Sequence, residues 1–322
     1  MAATSLADTK DGAFVRQASI FRRAISSAPG AEFPPEAGRY LLYVSYACPW
    51  ASRCLALRRV KGLEKAIAVA AVSPLWTRTK PDLDDHEGWY FDAEYDGAAT
   101  ADPVFGARTV RDVYDAATPE GAAKTLRYTV PILLDTKTKT IVNNESSEII
   151  RFFNDEFNAV AENPTANLRP AAHLAAIDAV SDSFYEAINN GVYKCGFAKS
   201  QGAYDAAVGP LFARLDELDA LLGKQRWLVA GHSAPTEADV RLFVTLVRFD
   251  DVYVVHFKCN RKSIREYANL GGWMADVLAT LDLAPTVNMK HIVEHYYLCH
   301  RTINVYGILP VGPGGLAAIQ GV

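Results

Sequence analysis

Cys48 lies in the stretch Tyr46-Ala47-Cys48-Pro49-Trp50-Ala51, behind an apolar run that reads as a strand (39–46) and ahead of a run of helix formers (50–61). A thiol at that junction stands at a helix N-terminus. Unpaired N–H groups and the positive end of the helix dipole stabilise a thiolate there and lower its pKa. Pro49 suits the first helical position, where its missing N–H costs nothing. The chemistry this points to is thiol redox. The fourth position is Ala51, so Cys48 has no partner of the Cys-x-x-Cys kind. A mixed disulfide on Cys48 is then resolved by an external thiol, and glutathione is the expected one. Cys54 is six residues on, about 240° round the helix, and is expected to face away as a small buried hydrophobe.

The elements that must hold this thiol follow the order strand–helix–strand, helix, strand–strand–helix. They are predicted at 39–46, 50–61, 66–72, 110–117, 130–134 and 140–142, with a last helix running from Asn144 to about Asn154. A polar insertion, 73–107, separates the second strand from the second helix. The acidic residues Glu145 and Glu148 in the last helix's first turn suit its dipole. This order is thioredoxin-like, with an antiparallel last pair of strands. Pro131, at the start of a strand, is a place for a cis bond or for an ordinary trans edge proline, and the local sequence does not choose. A linker at 163–170 follows, and every later segment has helical spacing. Thr236-Glu237-Ala238-Asp239 forms a capping box ahead of Val240, Leu242 and Phe243. The predicted layout is an N-terminal extension at 1–38 with a short helical candidate over 14–25, a thioredoxin-like domain at 39–158, and an all-helical domain at 168–322 with an irregular Gly/Pro-rich tail.

A longer series of motifs runs through the chain. After Cys48-Pro49-Trp50-Ala51 come Gly88-Trp89-x-Phe91, Thr129-Val130-Pro131 and Asn143-Asn144-Glu145-Ser146-Ser147-Glu148. Then come Asn189-Asn190-Gly191-Val192-Tyr193-Lys194-Cys195-Gly196-Phe197, Thr236-Glu237-Ala238-Asp239, His256-Phe257-Lys258-Cys259-Asn260 and His295-Tyr296-Tyr297. Taken together the series closely resembles the xi-class glutathione transferases, the glutathionyl-hydroquinone reductases, from about Phe14 to Pro313. The resemblance implies an α/β thioredoxin-like domain followed by an all-α domain. It also implies glutathione as co-substrate, glutathionyl-hydroquinones as substrates and a homodimer. Cys48 matches the nucleophile that takes up glutathione as a mixed disulfide. Val130 and Pro131 match the backbone that pairs with the tripeptide's cysteine. Glu145 and Ser146 match the γ-glutamyl site, a reading preferred to that of a plain helix cap, and Trp89 matches a tryptophan over the tripeptide. Arg127 is a candidate for the glycyl carboxylate beside Arg108 and Arg111. Tyr193, Tyr296 and Tyr297 match tyrosines that meet the aromatic substrate. One of the adjacent pair is expected to face the site, because helical neighbours point about 100° apart. Two other readings use the same architecture: an omega-like thioltransferase or dehydroascorbate reductase, and a non-catalytic ligand-binding fold.

Composition narrows the partners. The 322-residue chain exceeds the usual single-core size and is 50% hydrophobic. Its 33 Lys and Arg against 37 Asp and Glu give a net charge of −4, which argues against nucleic acid. No stretch has the length of a membrane span, and five cysteines without a paired framework suit a reducing compartment such as the cytoplasm. Arg16, Arg22 and Arg23 among Ser and Ala hint at an organelle address, and Asp8 and Asp11 oppose it. His291 and His295 have the spacing of a helical metal pair but lack the rest of a ligand set, so no metal is expected. Cys195, Cys259 and Cys299 are expected to be structural.

Overall fold

The computed structural model describes residues 9, 10, 12–118 and 127–320. Part of the predicted extension, with Asp8 and Asp11, and the last two residues of the tail lie outside them. The chain divides into two compact units. One carries the described residues of Gln17–Ala166. The other carries those of Asn167–Val322 together with residues 9, 10 and 12–16.

The first unit is built on a four-stranded sheet. After a two-stranded ribbon of β1 (Thr9–Lys10) and β2 (Ala13–Phe14), which belongs to the other unit, come β3 (Tyr40–Val44), α1 (Pro49–Val60) and β4 (Ile67–Ala71). Next are β5 (Trp76–Arg78), β6 (Glu87–Trp89), α2 (Val110–Ala117), β7 (Ile132–Asp135), β8 (Thr140–Asn143) and α3 (Ser146–Asp155). The sheet order is β4-β3-β7-β8. β3 is parallel to β4 and antiparallel to β7, and β7 is antiparallel to β8. All five residues of β3 are buried, as expected of a central strand covered on both faces. α1 and α3 pack on each other, and Leu55, Leu57, Ile149, Ile150 and Phe153 are buried there.

Both edges of this sheet are covered. On the β4 side, Thr100 of the polar insertion donates its N–H to the Ala71 carbonyl at 2.8 Å. On the β8 side lies the segment predicted as a helical candidate at 14–25, and that expectation fails. Ala13–Phe14 is a strand, and residues 15–25 form no helix. Arg23 donates its N–H to the Val142 carbonyl (3.0 Å), Asn144 donates to the Phe21 carbonyl (3.0 Å), and Arg22 bridges to Asn143. A local helix would satisfy these backbone groups within the segment. The exposed edge of β8 offers them a long-range partner instead, and the edge needs one as much as they do. The insertion also holds a feature not read from the sequence, the hairpin of β5 and β6. There Trp76 and Trp89 are cross-strand partners with ring centroids 5.7 Å apart, edge to face.

The second unit is helical: α4 (Leu174–Phe184), α5 (Gly191–Gly196), α6 (Gln201–Leu222), α7 (Glu237–Leu246), α8 (Leu270–Thr280), α9 (Met289–Cys299) and α10 (Gly315–Gln320). The helical pattern expected after the linker is interrupted. α4 gives way to a π-helical turn at Tyr185–Asn189, and a second such turn spans Phe249–Tyr253. The tail, expected to be irregular, ends in the short α10.

Every residue of α7 is buried. Its start is held by the capping box, with Thr236 donating both its N–H (2.8 Å) and its hydroxyl (3.0 Å) to Asp239. The other carboxylate oxygen of Asp239 takes the Leu228 N–H at 3.0 Å and the Trp273 indole N–H at 2.9 Å. Burial pushes this carboxyl's pKa up, and the four donors oppose that. Asp239→Ala would leave buried donors unpaired. We expect a loss of about 3 kcal/mol, read as a lower urea midpoint with the slope unchanged, and a smaller loss for Asp239→Asn. An Asp239→Ala midpoint equal to wild type would show that the cap carries no stability.

Candidate active site

The thiol site is assembled by backbone. Cys48 is the N-cap of α1, with φ −84° and ψ 115°, and Pro49 occupies the first helical turn. The Ser52 N–H is used within the helix on the Cys48 carbonyl (2.9 Å). The N–H groups of Trp50 and Ala51 belong to the first turn, where a helix has no carbonyl to offer them. Cys48 itself is half-buried, and its Sγ lies 3.5 Å from the Val130 carbonyl oxygen. The Val130–Pro131 peptide bond is cis. The alternative left open by the local sequence is thus settled, and Val130 and Cys48 are brought together. Cys54 is fully buried, and desolvation holds its thiol pKa well above the usual value.

Glu145 is the N-cap of α3, and Ser146, its first residue, is 3% exposed. One Glu145 oxygen accepts the Ser147 N–H (3.0 Å) and hydroxyl (2.9 Å). The other accepts the Ser19 hydroxyl at 3.0 Å. The helix-cap reading of Glu145 is therefore realised, and its carboxylate is held in a fixed orientation. Trp89 is buried in its hairpin against Trp76. Of the three candidate arginines, Arg111 is buried and pairs with Asp84 at 2.7 Å, which commits its charge. Arg108 donates to the Arg78 carbonyl (2.8 Å), and Arg127 donates from Nε to the Gln17 side chain (2.8 Å).

The second unit gathers the tyrosines. The Tyr193 and Tyr296 hydroxyls are 2.7 Å apart, and Tyr296 is 3.1 Å from the hydroxyl of Tyr253, a residue the sequence reading missed. Its ring stacks on that of Phe257 with centroids 5.4 Å apart, and no helical spacing marked it in the sequence. Tyr297 is also buried, but its hydroxyl donates to the Asp251 carbonyl at 3.1 Å. The adjacent pair thus splits as helical geometry requires, and Tyr296 is the one that joins Tyr193. Burial holds the Tyr253 and Tyr296 pKa values well above the phenol range, so both remain neutral O–H groups.

Comparison with known proteins shows the family. The family models Glutathione S-transferase, N-terminal domain and Glutathione S-transferase, C-terminal domain match residues 47–156 and 201–276. Glutathionyl-hydroquinone reductase YqjG of Escherichia coli is 44% identical over 314 residues, 95% of this chain and 91% of the relative. The glutathione transferase Xi of Phanerochaete chrysosporium superposes with a TM-score of 0.84 at 48% identity, covering 93% of this chain and 97% of that one. The chain belongs to the xi class of glutathione transferases. The glutathione-bound structure of YqjG, at 43% identity and a TM-score of 0.84, covers 94% of both chains. Among the described residues of this xi-class chain, no helix is long and apolar enough to cross a membrane.

Beside the tyrosines lies a pair of buried imidazoles. His256 Nε2 and His300 Nδ1 are 3.1 Å apart, and the Phe257 ring stacks on His300. Burial, and then the charge of Lys258, pulls the His256 pKa from 6.5 down to about 4. Burial also lowers that of His300, with His295 and His256 adding to it. The folded chain thus refuses a proton that the unfolded chain accepts below its ordinary histidine pKa. The stability this contributes is complete above that value. It is lost as pH falls from 6.5 towards 4, by about 3 kcal/mol for His256 alone. Urea titrations across this window should show a shallower acid limb for His256→Gln than for wild type. Parallel limbs would mean that His256 is not held neutral by the fold.

Proposed function

We propose that this chain reduces S-glutathionyl-hydroquinones to hydroquinones at the expense of glutathione. The observation that carries the proposal is the half-buried Cys48 thiol, 3.5 Å from the backbone of a cis Val130–Pro131 unit, in a xi-class chain. The Cys48 thiolate attacks the thioether sulfur. The carbon–sulfur bond breaks, its electron pair stays on the ring carbon, and that carbon takes a proton. Cys48 is left as a mixed disulfide with glutathione. A second glutathione thiolate attacks that disulfide, glutathione disulfide leaves, and Cys48 is restored. Two sulfurs have been oxidised and one carbon reduced by the same two electrons.

The residues divide this work by their chemistry. The Val130 backbone pairs with the cysteine of the tripeptide. Ser146 and the N-terminus of α3 take the γ-glutamyl carboxylate, and Glu145 accepts from its ammonium. Trp89 contributes to the tripeptide site by resemblance. Arg127 is assigned to the glycyl carboxylate, with Arg111 committed to Asp84 and Arg108 donating to the Arg78 carbonyl. Tyr193 and Tyr296 donate to the hydroquinone oxygens; burial holds the Tyr296 phenol protonated, so it acts as a donor and not as a base.

Mass spectrometry of the intact protein after exposure to a glutathionyl-hydroquinone should show a single glutathione adduct, mapping to Cys48. Cys48→Ser should lose both adduct and turnover while still binding glutathione. Turnover by that variant would exclude the thiolate mechanism. Tyr296→Phe should lower kcat roughly ten- to a hundredfold and leave the KM for glutathione in place. An unchanged kcat would remove the tyrosine from the reaction. Faster turnover of dehydroascorbate than of a glutathionyl-hydroquinone would favour the omega-like reading.

A further inference from the structure

We propose that the segment 17–21 is a working part of the glutathione site, in which Gln17 and Ser19 are positioning residues for Arg127 and Glu145. The inference rests on the glutathione site assigned above and extends it to a stretch of chain outside the thioredoxin-like elements. Three contacts carry it. Gln17 Oε1 accepts the Arg127 Nε proton at 2.8 Å, the end of a guanidinium that carries four further N–H donors. Ser19 Oγ donates to Glu145 Oε2 at 3.0 Å and lies 3.2 Å from the Asn144 carbonyl. The Phe21 N–H donates to Asn144 Oδ1 (3.1 Å), Asn144 Nδ2 donates to the Tyr114 hydroxyl (3.0 Å), and Tyr114 donates to the Thr129 carbonyl (3.0 Å). Thr129 immediately precedes the cis Val130–Pro131 unit. Five consecutive residues thus reach the glycyl-side arginine, the γ-glutamyl-side carboxylate and the strand that meets the cysteine.

The physical role is orientation. Ser147 alone holds one oxygen of the Glu145 carboxylate, which leaves rotation about the carboxylate to be fixed by a second donor. Ser19 supplies it from the opposite side. An arginine side chain carries much rotamer entropy, and a fixed acceptor at Nε removes part of it before the ligand arrives. The segment is itself held by the edge of β8 and by the ion pair of Arg22 with Glu148, so it is a rigid support for both contacts.

The test is glutathione affinity by calorimetry, with turnover of a glutathionyl-hydroquinone, on full-length Ser19→Ala, Gln17→Ala, Glu145→Ala and Arg127→Ala. Ser19→Ala and Gln17→Ala should each weaken glutathione binding about five- to tenfold and raise the KM for glutathione, with kcat and melting temperature held. Ser19→Thr, which keeps the donor, should restore affinity, whereas Gln17→Glu, which sets a competing carboxylate on Arg127, should not. Ser19→Ala should add little to Glu145→Ala, because both act through one carboxylate. If Glu145→Ala and Arg127→Ala weaken binding while Ser19→Ala and Gln17→Ala do not, the positioning role is overturned. If Glu145→Ala and Arg127→Ala leave affinity unchanged, the assigned glutathione site fails, and this inference with it.

Discussion

The antiparallel pairing of β3 with β7 is the constraint on which the site depends. Tyr43 faces Ile132 across that ladder, so the C-terminal end of β3 and the N-terminal end of β7 meet at the same edge of the sheet. The chain leaving β3 reaches Cys48, and the chain entering β7 arrives through Val130–Pro131, so thiol and cis peptide converge without any side chain arranging it. β8 runs antiparallel to β7 and therefore also ends there, which places the N-terminus of α3, with Glu145 and Ser146, at the same end. Three separate stretches of sequence become neighbours through one choice of strand direction. A register slip of one residue would exchange the two buried faces of β3 and set each side chain against the wrong packing layer, so the core that holds the sheet also fixes the site.

What the sequence made legible was local, and what it hid was long-range. The Cys-Pro start of α1, the Thr236–Asp239 capping box and the buried run of β3 are each specified within a few residues, and each appears where expected. The isomer of Pro131 is decided by residues far along the chain, and its own neighbours left it open. The segment 14–25 has unremarkable helical composition, but its backbone groups are claimed by the edge of β8, a partner about 120 residues away. The β5–β6 hairpin escaped because its strands are three residues each, one containing Gly88, which is too short for alternation to show. Tyr253 sits in a π-helical turn, where spacing rules built on 3.6 residues per turn lose their register. The contacts of Gln17 and Ser19 carried no motif at all, since an exposed Gln and a Ser acquire meaning only from what lies opposite them.

The absence of a second cysteine beside Cys48 shapes the chemistry as much as the thiol does. Cys54 is the nearest in sequence, yet it lies on another face of α1, fully buried, with its thiol held protonated by desolvation. A protonated, inaccessible sulfur cannot attack a mixed disulfide, because the thiolate is the nucleophile and needs a path to its target. On the proposed mechanism, a glutathione adduct on Cys48 would persist until a second glutathione arrives. The proposed tripeptide site would then serve twice, first for the glutathionyl half of the substrate and then for the resolving thiol or the adduct it attacks. Tight binding would lower the energy of both complexes and slow the release of glutathione disulfide, so affinity is best spent on orientation. In the proposed site, the Glu145 carboxylate fixed by donors from two segments, and Arg127 held through its Nε by Gln17, would supply orientation of that kind at little cost in exchange.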